Sequence, residues 1–358
     1  RIVFIMFAIG YSFILSKNVI HDWDMFAYAG VVASYSTDNH QKIHEYGYSL
    51  LKYSSEEKQA ELVGSKWREK NFNNPNFFVS QLKYYHIKPL YTICAFYMSK
   101  FGISIMNSLS FMSVVPFFLM LLLFYFWVEK FLTPWQSFIG VPLLFLTHDI
   151  SYLARIITPD SFSSLLIIWV FYLLYQKRYR IDYTIIISLL LLVFVRLDNL
   201  ILVFWVFFFN HLLLGKSLIN FFRINFKLLT SLCFLFLLIF LAFLMLYDGF
   251  SDMFLMFTPS IYLSQFFNLF SEIRGLFLGI IIIPLLLVFS NLTIEWKTLF
   301  YVILTNAVTR IILFPSLQHR FFIAYELVLL IGLISHLSIL ANKKKKVVLS
   351  VDDDIIDN

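Results

Sequence analysis

Long apolar runs separated by short polar ones dominate the chain. A helix needs about 20 predominantly apolar residues to cross a bilayer. On that scale residues 1–15, 104–128, 135–146, 161–175, 183–195, 200–214, 228–247, 275–288, 298–313 and 321–340 are the expected spans. A polar stretch, 16–85, follows the first run, and 87–101 is half apolar, as in an amphipathic helix lying at an interface. The pattern predicts an all-α, polytopic transmembrane bundle of about ten spans. Its transmembrane domain covers 1–340, with a long outer loop over about 16–103 that contains amphipathic helices. A basic-then-acidic tail occupies 341–358. The charged residues within 196–199 read as the tip of a hairpin, not as the middle of one very long helix. The sequence opens on Arg1, without Met, and the first span is expected to be cut short.

Composition strengthens this reading. The chain is 60% hydrophobic and only 14% charged over 358 residues, whereas soluble domains are about 25% charged and much of their surface must face water. The net charge of +6 would suit nucleic acid if it formed a patch, but the charges lie between the apolar runs. Lys130, then Lys177, Arg178 and Arg180, then Lys216, Arg223 and Lys227, then Lys297, and finally the lysines at 343–346 fall on one side of a ten-span chain. The opposite loops carry mainly single arginines: Arg155, Arg196, Arg274 and Arg320. The positive-inside rule then puts the C-terminus in the cytoplasm and 16–85 outside. Cys94 and Cys233 make neither a disulfide framework nor a metal spacing. Phe-, Ile- and Lys-rich usage, with the sequon Asn291-Leu292-Thr293 on the cytoplasmic side, points to a bacterial inner membrane.

Ionisable groups beside apolar spans are expensive, and so they mark function. Asp22 and Asp24 follow the first span. Lys88-Pro89 opens the amphipathic segment. His148, Asp149, Arg155 and Asp160 surround the third outer loop, Arg196 and Asp198 the next, and His319-Arg320 precedes the last span. A carboxylate at such a face can act as a general base on an acceptor hydroxyl or amine, and Lys and Arg can hold a phosphate. Plainer roles compete. Arg155 and Arg320 suit headgroup anchors, Asp160 suits a helix N-cap, and Arg196 and Asp198 suit a simple pair. His21, His40, His44 and His86 fit no closed metal-ligand pattern.

In order along the chain, these residues resemble the GT-C superfamily of membrane glycosyltransferases. The branch most similar in look contains the protein O-mannosyltransferases and the lipid A aminoarabinose transferases. Asp24 followed by Tyr28-Ala29 matches its acidic motif, Lys88-Pro89-Leu90-Tyr91 running to Phe101-Gly102 its Lys-Pro motif, Asp160 its acidic opening of the fourth span, and Arg320-Phe321 its late Arg-aromatic pair. This chain has Asp-Trp-Asp where the family often has adjacent acids, so Asp22 and Asp24 both stand as catalytic candidates. The resemblance implies transfer of a sugar from a polyprenyl phosphate to an acceptor outside the membrane, whether protein, lipid or glycan. Asp24 would be the base. Lys88 and Arg320 would hold the donor phosphate, with Arg155, Asp160, His86, Tyr28 and His319 as further substrate-binding candidates. No cofactor is implied, and a tightly bound divalent metal is not favoured. The partners expected are the lipid-linked sugar, its acceptor and membrane lipid, but no nucleic acid.

Two other classes share the many-span pattern. A transporter or lipid flippase should show mid-membrane charges, internal repeats and broken helices. A glycan polymerase or ligase should carry its large outer loop late in the chain, whereas here it comes first.

Overall fold

A computed structural model describes residues 1–178, 181–213, 292–313 and 318–356. Among them the chain is helical throughout, with no strand and a single isolated bridge between Ile20 and Ile156.

After α1 (Ile2–Lys17), the polar stretch folds into six short helices. They are α2 (Asp24–Ser34), α3 (His40–Tyr48), α4 (Glu56–Val63), α5 (Lys66–Asn73), α6 (Pro75–Gln81) and α7 (Lys83–His86). Four of their starts are written locally. Asn39, Ser55, Ser65 and Asn74 each accept the backbone N–H three residues on, and Pro75 takes the first position of α6. The helices share their own aromatic core. Phe26 stacks on Tyr48 at 4.7 Å, and Tyr48 meets Phe78 at 5.2 Å. The ring of Phe78 lies against two bare backbones: a Cβ on Gly30 would fall 2.9 Å from it, and one on Gly47 3.0 Å. Small residues at 30 and 47 thus let α2 and α3 close on α6.

Helix α8 (Pro89–Lys100) buries Tyr91, Thr92 and Ala95 and exposes Ile93 and Tyr97. The remaining elements are α9 (Ile105–Val128), α10 (Pro134–Phe145), α11 (His148–Arg155), α12 (Asp160–Gln176), α13 (Tyr183–Val195), α14 (Leu200–Leu213), α15 (Ile294–Leu313) and α16 (Ile323–Ile356). Helix α9 is central, packing on α1, α8, α10, α11 and α12, while α12 also meets α13 and α16, and α14 meets α15. Phe4 stacks on Tyr125 at 3.7 Å, and Arg1 Nε lies 3.1 Å from Glu129, so the start of α1 sits at the end of α9.

Among the described residues three helices are long and apolar enough to cross a membrane: α9, α15 and the Ile323–Ala341 part of α16. Four other expected spans form shorter apolar helices. α1 has 16 residues, α12 17, α13 13 and α14 14. At 1.5 Å per residue, 13 residues reach ~20 Å against a hydrocarbon core of ~30 Å. The expected span at 135–146 takes a different form. The polar run Thr147-His148-Asp149 ends α10 after 12 residues, and α11 continues at a bend of 68°. The spans expected at 228–247 and 275–288 lie outside the described residues.

Candidate functional site

The site forms where one set of helix ends meets the short-helix layer. Asp24 is the first residue of α2, and Asp160 the first of α12. A helix N-terminus favours a carboxylate in its first turn. Arg196 and Asp198 occupy the tight connection between α13 and α14, Arg310 lies in the last turn of α15, and Arg320 in the 3-10 turn that leads into α16.

These six residues form one alternating chain of charge. Arg320 Nε lies 3.3 Å from Asp160 Oδ2, and its other end is 3.8 Å from Asp24 Oδ2. Asp160 also accepts from Arg196 and, at 2.7 Å, from the Thr158 hydroxyl. Arg196 forks onto Asp198 at 3.0 and 3.1 Å, and Arg310 completes the chain on Asp198. The three guanidiniums surround the Phe321 ring at 4.1, 5.0 and 5.2 Å. Asp160 keeps 3% side-chain exposure, whereas Asp24 keeps 24%. One carboxylate is therefore sealed into the scaffold, and the other remains reachable.

Among the described residues three guanidiniums balance three carboxylates, and Lys88 is a surplus cation. Its ammonium donates to the Tyr28 hydroxyl at 2.8 Å and faces the Tyr28 and Tyr85 rings at 5.1 and 4.9 Å. Among the described residues it pairs with no carboxylate. Burial pushes it down to about 8, against the opposing pull of Asp24. Tyr85 joins the two ends of the site by donating to Asp24 Oδ1 at 2.8 Å.

Beside Arg320 opens a cleft of about 350 Å³, lined by Asp22, Asp149, Tyr152 and His319 among others. Asp22 stands on the cleft wall, 4.0 Å from Arg68. His319 lies 2.9 Å from Glu326 and 3.7 Å from Asp149. The Glu326 contact raises its pKa, which burial opposes and Asp149 supports.

Of the residues expected from sequence, Asp24, Tyr28, Lys88, Asp160 and Arg320 meet in this cluster, and Asp22 and His319 line the adjoining cleft. His86 does not join them. It faces Ser34 at the far end of α2, 3.3 Å from the hydroxyl, and burial lowers its pKa to about 4. Arg155 also stands apart, its Nε donating to the Asn18 carbonyl at 2.8 Å and tying the chain after α1 to the end of α11. Asp160 is not an N-cap: Pro159 holds that position, and the carboxylate is spent on Thr158 and two arginines. Arg196 and Asp198 do pair, but within the longer chain. Arg310, Tyr85 and Glu326 were not expected. Arg310 had a signal, an arginine inside an apolar run; Tyr85 had none beyond its place beside Lys88. Among the described residues no group of three or more His, Cys, Asp or Glu side chains could hold a metal ion. Comparisons with protein-family models, with curated proteins and with solved structures give no match to this chain.

Proposed function

We propose that this chain is a membrane glycosyltransferase of the GT-C type, with about ten spans, that moves a sugar from a polyprenyl phosphate to an acceptor at the outer face of a bacterial inner membrane. The observation that carries the reading is the meeting of a reachable carboxylate, Asp24, with an unpaired ammonium, Lys88, and a guanidinium, Arg320, beside an open cleft. Asp24 takes the proton of the acceptor hydroxyl as its oxygen bonds to the anomeric carbon. The bond from that carbon to the phosphate oxygen breaks, and its electron pair leaves with the polyprenyl phosphate. Lys88 and Arg320 hold that phosphate as charge builds on it. Tyr85 fixes the orientation of Asp24, and the acceptor occupies the cleft.

The test is sugar transfer by the protein reconstituted in vesicles with polyprenyl-phosphate sugars. Asp24→Asn should lower transfer by about 10²–10⁴-fold, the usual worth of a general base, with helical content unchanged. Full activity in Asp24→Asn would move the role to Asp22, and full activity in Asp22→Asn as well would end the proposal.

A second reading has an observation of its own. The 68° break between α10 and α11 and the ion chain sunk among helix ends also suit a transporter or lipid flippase. Movement of the lipid-linked sugar across the same vesicles, without transfer to any acceptor, would favour it.

A further inference from the structure

Helix α8 has one end in the charge cluster and the other in a second cavity. Lys88 precedes its first residue and Lys100 is its last. At 1.5 Å per residue the two lie about 18 Å apart along the axis. The second cavity, of about 370 Å³, is walled by the end of α2, by α3, by the end of α8 and by the start of α9. Such a volume falls within the ~300–1,000 Å³ of small-molecule sites.

The chemistry of its walls is consistent. Lys42 and Lys100 bring two cations, Ser36, Thr37 and Ser104 bring hydroxyls, and Tyr46 an aromatic face. Among the described residues no carboxylate lines it, and neither lysine forms an ion pair. An anion fits, and phosphate oxygens would find donors on several sides.

An apolar stripe leads into the same cavity. Ile93, Tyr97 and Lys100 stand at i, i+4 and i+7, on one face of α8. Ile93 is 40% exposed and Tyr97 58%, and Phe101, just past the helix, is 84% exposed. Ile103 belongs to both features: it lines the cavity and is 41% exposed. An apolar face that ends in paired lysines is the pattern of an element seated at a membrane surface of negative charge.

We propose that this cavity holds the phosphate headgroup of an anionic phospholipid, whose acyl chains lie along the Ile93–Tyr97 face of α8. The assignment rests on the chain being embedded in a bilayer, and not on the transferase reading. A lipid held there would fix α8 from its far end and so set where Lys88 stands.

The experiment titrates the full chain, in neutral detergent, with fluorescent phosphatidylglycerol and with fluorescent phosphatidylcholine. Wild type should prefer phosphatidylglycerol. The double variant Lys42→Gln/Lys100→Gln should lose about 10-fold or more of that preference, the worth of a hydrogen bond to a charged group. Tyr97→Gln should weaken both lipids alike, and inorganic phosphate should not displace the bound lipid. Equal affinity of wild type for the two lipids, or an unchanged preference in the double variant, would overturn the proposal. Full displacement by inorganic phosphate would also overturn it, in favour of a soluble phosphate site. Should the double variant unfold, the wild-type lipid comparison and the phosphate competition decide the matter between them.

Discussion

Arg320 Nε lies 3.3 Å from Asp160 Oδ2, and that contact carries a guanidinium from the turn before α16 to the first residue of α12. The same guanidinium reaches Asp24 at 3.8 Å. Asp160 therefore positions Arg320, while Asp24 shares Arg320 with the cleft.

The two carboxylates should separate in their effects. Asp160→Asn leaves Arg196 and Arg320 short of a buried partner, and breaking a buried pair costs about 3–5 kcal/mol. Asp24→Asn keeps an acceptor for Tyr85 in a partly open place and should cost no more than about 1 kcal/mol. Denaturation of both variants in detergent measures the difference. Equal losses would mean that Asp24 is as structural as Asp160.

Much of this site was legible before any geometry. Asp24, Lys88, Asp160 and Arg320 were visible because charge beside an apolar run has few cheap explanations. The pairing was not, because which guanidinium meets which carboxylate depends on how α12, α13, α15 and α16 pack. His86 lies away from the cluster for a local reason. It ends α7, whereas Lys88 stands in the break before α8, and the chain turns between them. Arg310 was hidden by its surroundings, since an apolar run of span length absorbs one charge without changing its reading. The helix lengths were also out of reach, because hydropathy marks an apolar stretch and not the polar run Thr147-His148-Asp149 as a bend.

Lys88 gives a prediction about pH. Its folded value is lowered to about 8, from an ordinary ~10.4, chiefly by burial. Between about 8 and 10.4 the unfolded chain holds a proton that the folded chain has released. Stability should therefore rise with pH across that window for wild type relative to Lys88→Met. A bound phosphate would restore the proton, so donor affinity should fall as pH climbs through about 8. Melting curves from pH 7 to 10.5 for both proteins check the first statement, and donor titration at pH 7 and 9.5 the second. Parallel stability profiles would show that Lys88 titrates normally.

His319 gives a prediction of the opposite sign. Glu326 and Asp149 face it, His148 lies beside Asp149 at 3.5 Å, and its folded value is raised. The stability it contributes is fully present below the unfolded value of ~6.5 and is lost as pH rises through the raised one. Wild type should thus lose stability above pH 6.5 relative to His319→Gln. NMR titration of the imidazole locates the transition, and a midpoint at or below 6.5 would sink the claim.

The packing of the last two helices gives a prediction free of charge effects. Gly332 of α16 has the Phe300 ring of α15 against its bare backbone. A Cβ there would overlap Phe300 Cζ and fall 3.1 Å from Trp296 Cε3. Trp296 cannot retreat, because Tyr175 packs on it at 4.9 Å and Trp127 stacks on it at 6.0 Å. Overpacking at Gly332→Ala should cost about 1–3 kcal/mol, offset by up to about 1 kcal/mol from alanine's better helix propensity, so the net change should be a loss of up to about 2 kcal/mol. Gly140 of α10 is the control. A Cβ there meets nothing within 4 Å, and alanine in place of glycine inside a helix gains up to about 1 kcal/mol. Thermal midpoints in one detergent should fall for Gly332→Ala and hold or rise for Gly140→Ala. Adding Phe300→Leu to Gly332→Ala should recover part of the loss, because a smaller side chain frees the space that the methyl needs. If Gly332→Ala rose in midpoint as much as Gly140→Ala, the close approach of α15 and α16 would be wrong, and with it the placement of Arg310 beside Asp198.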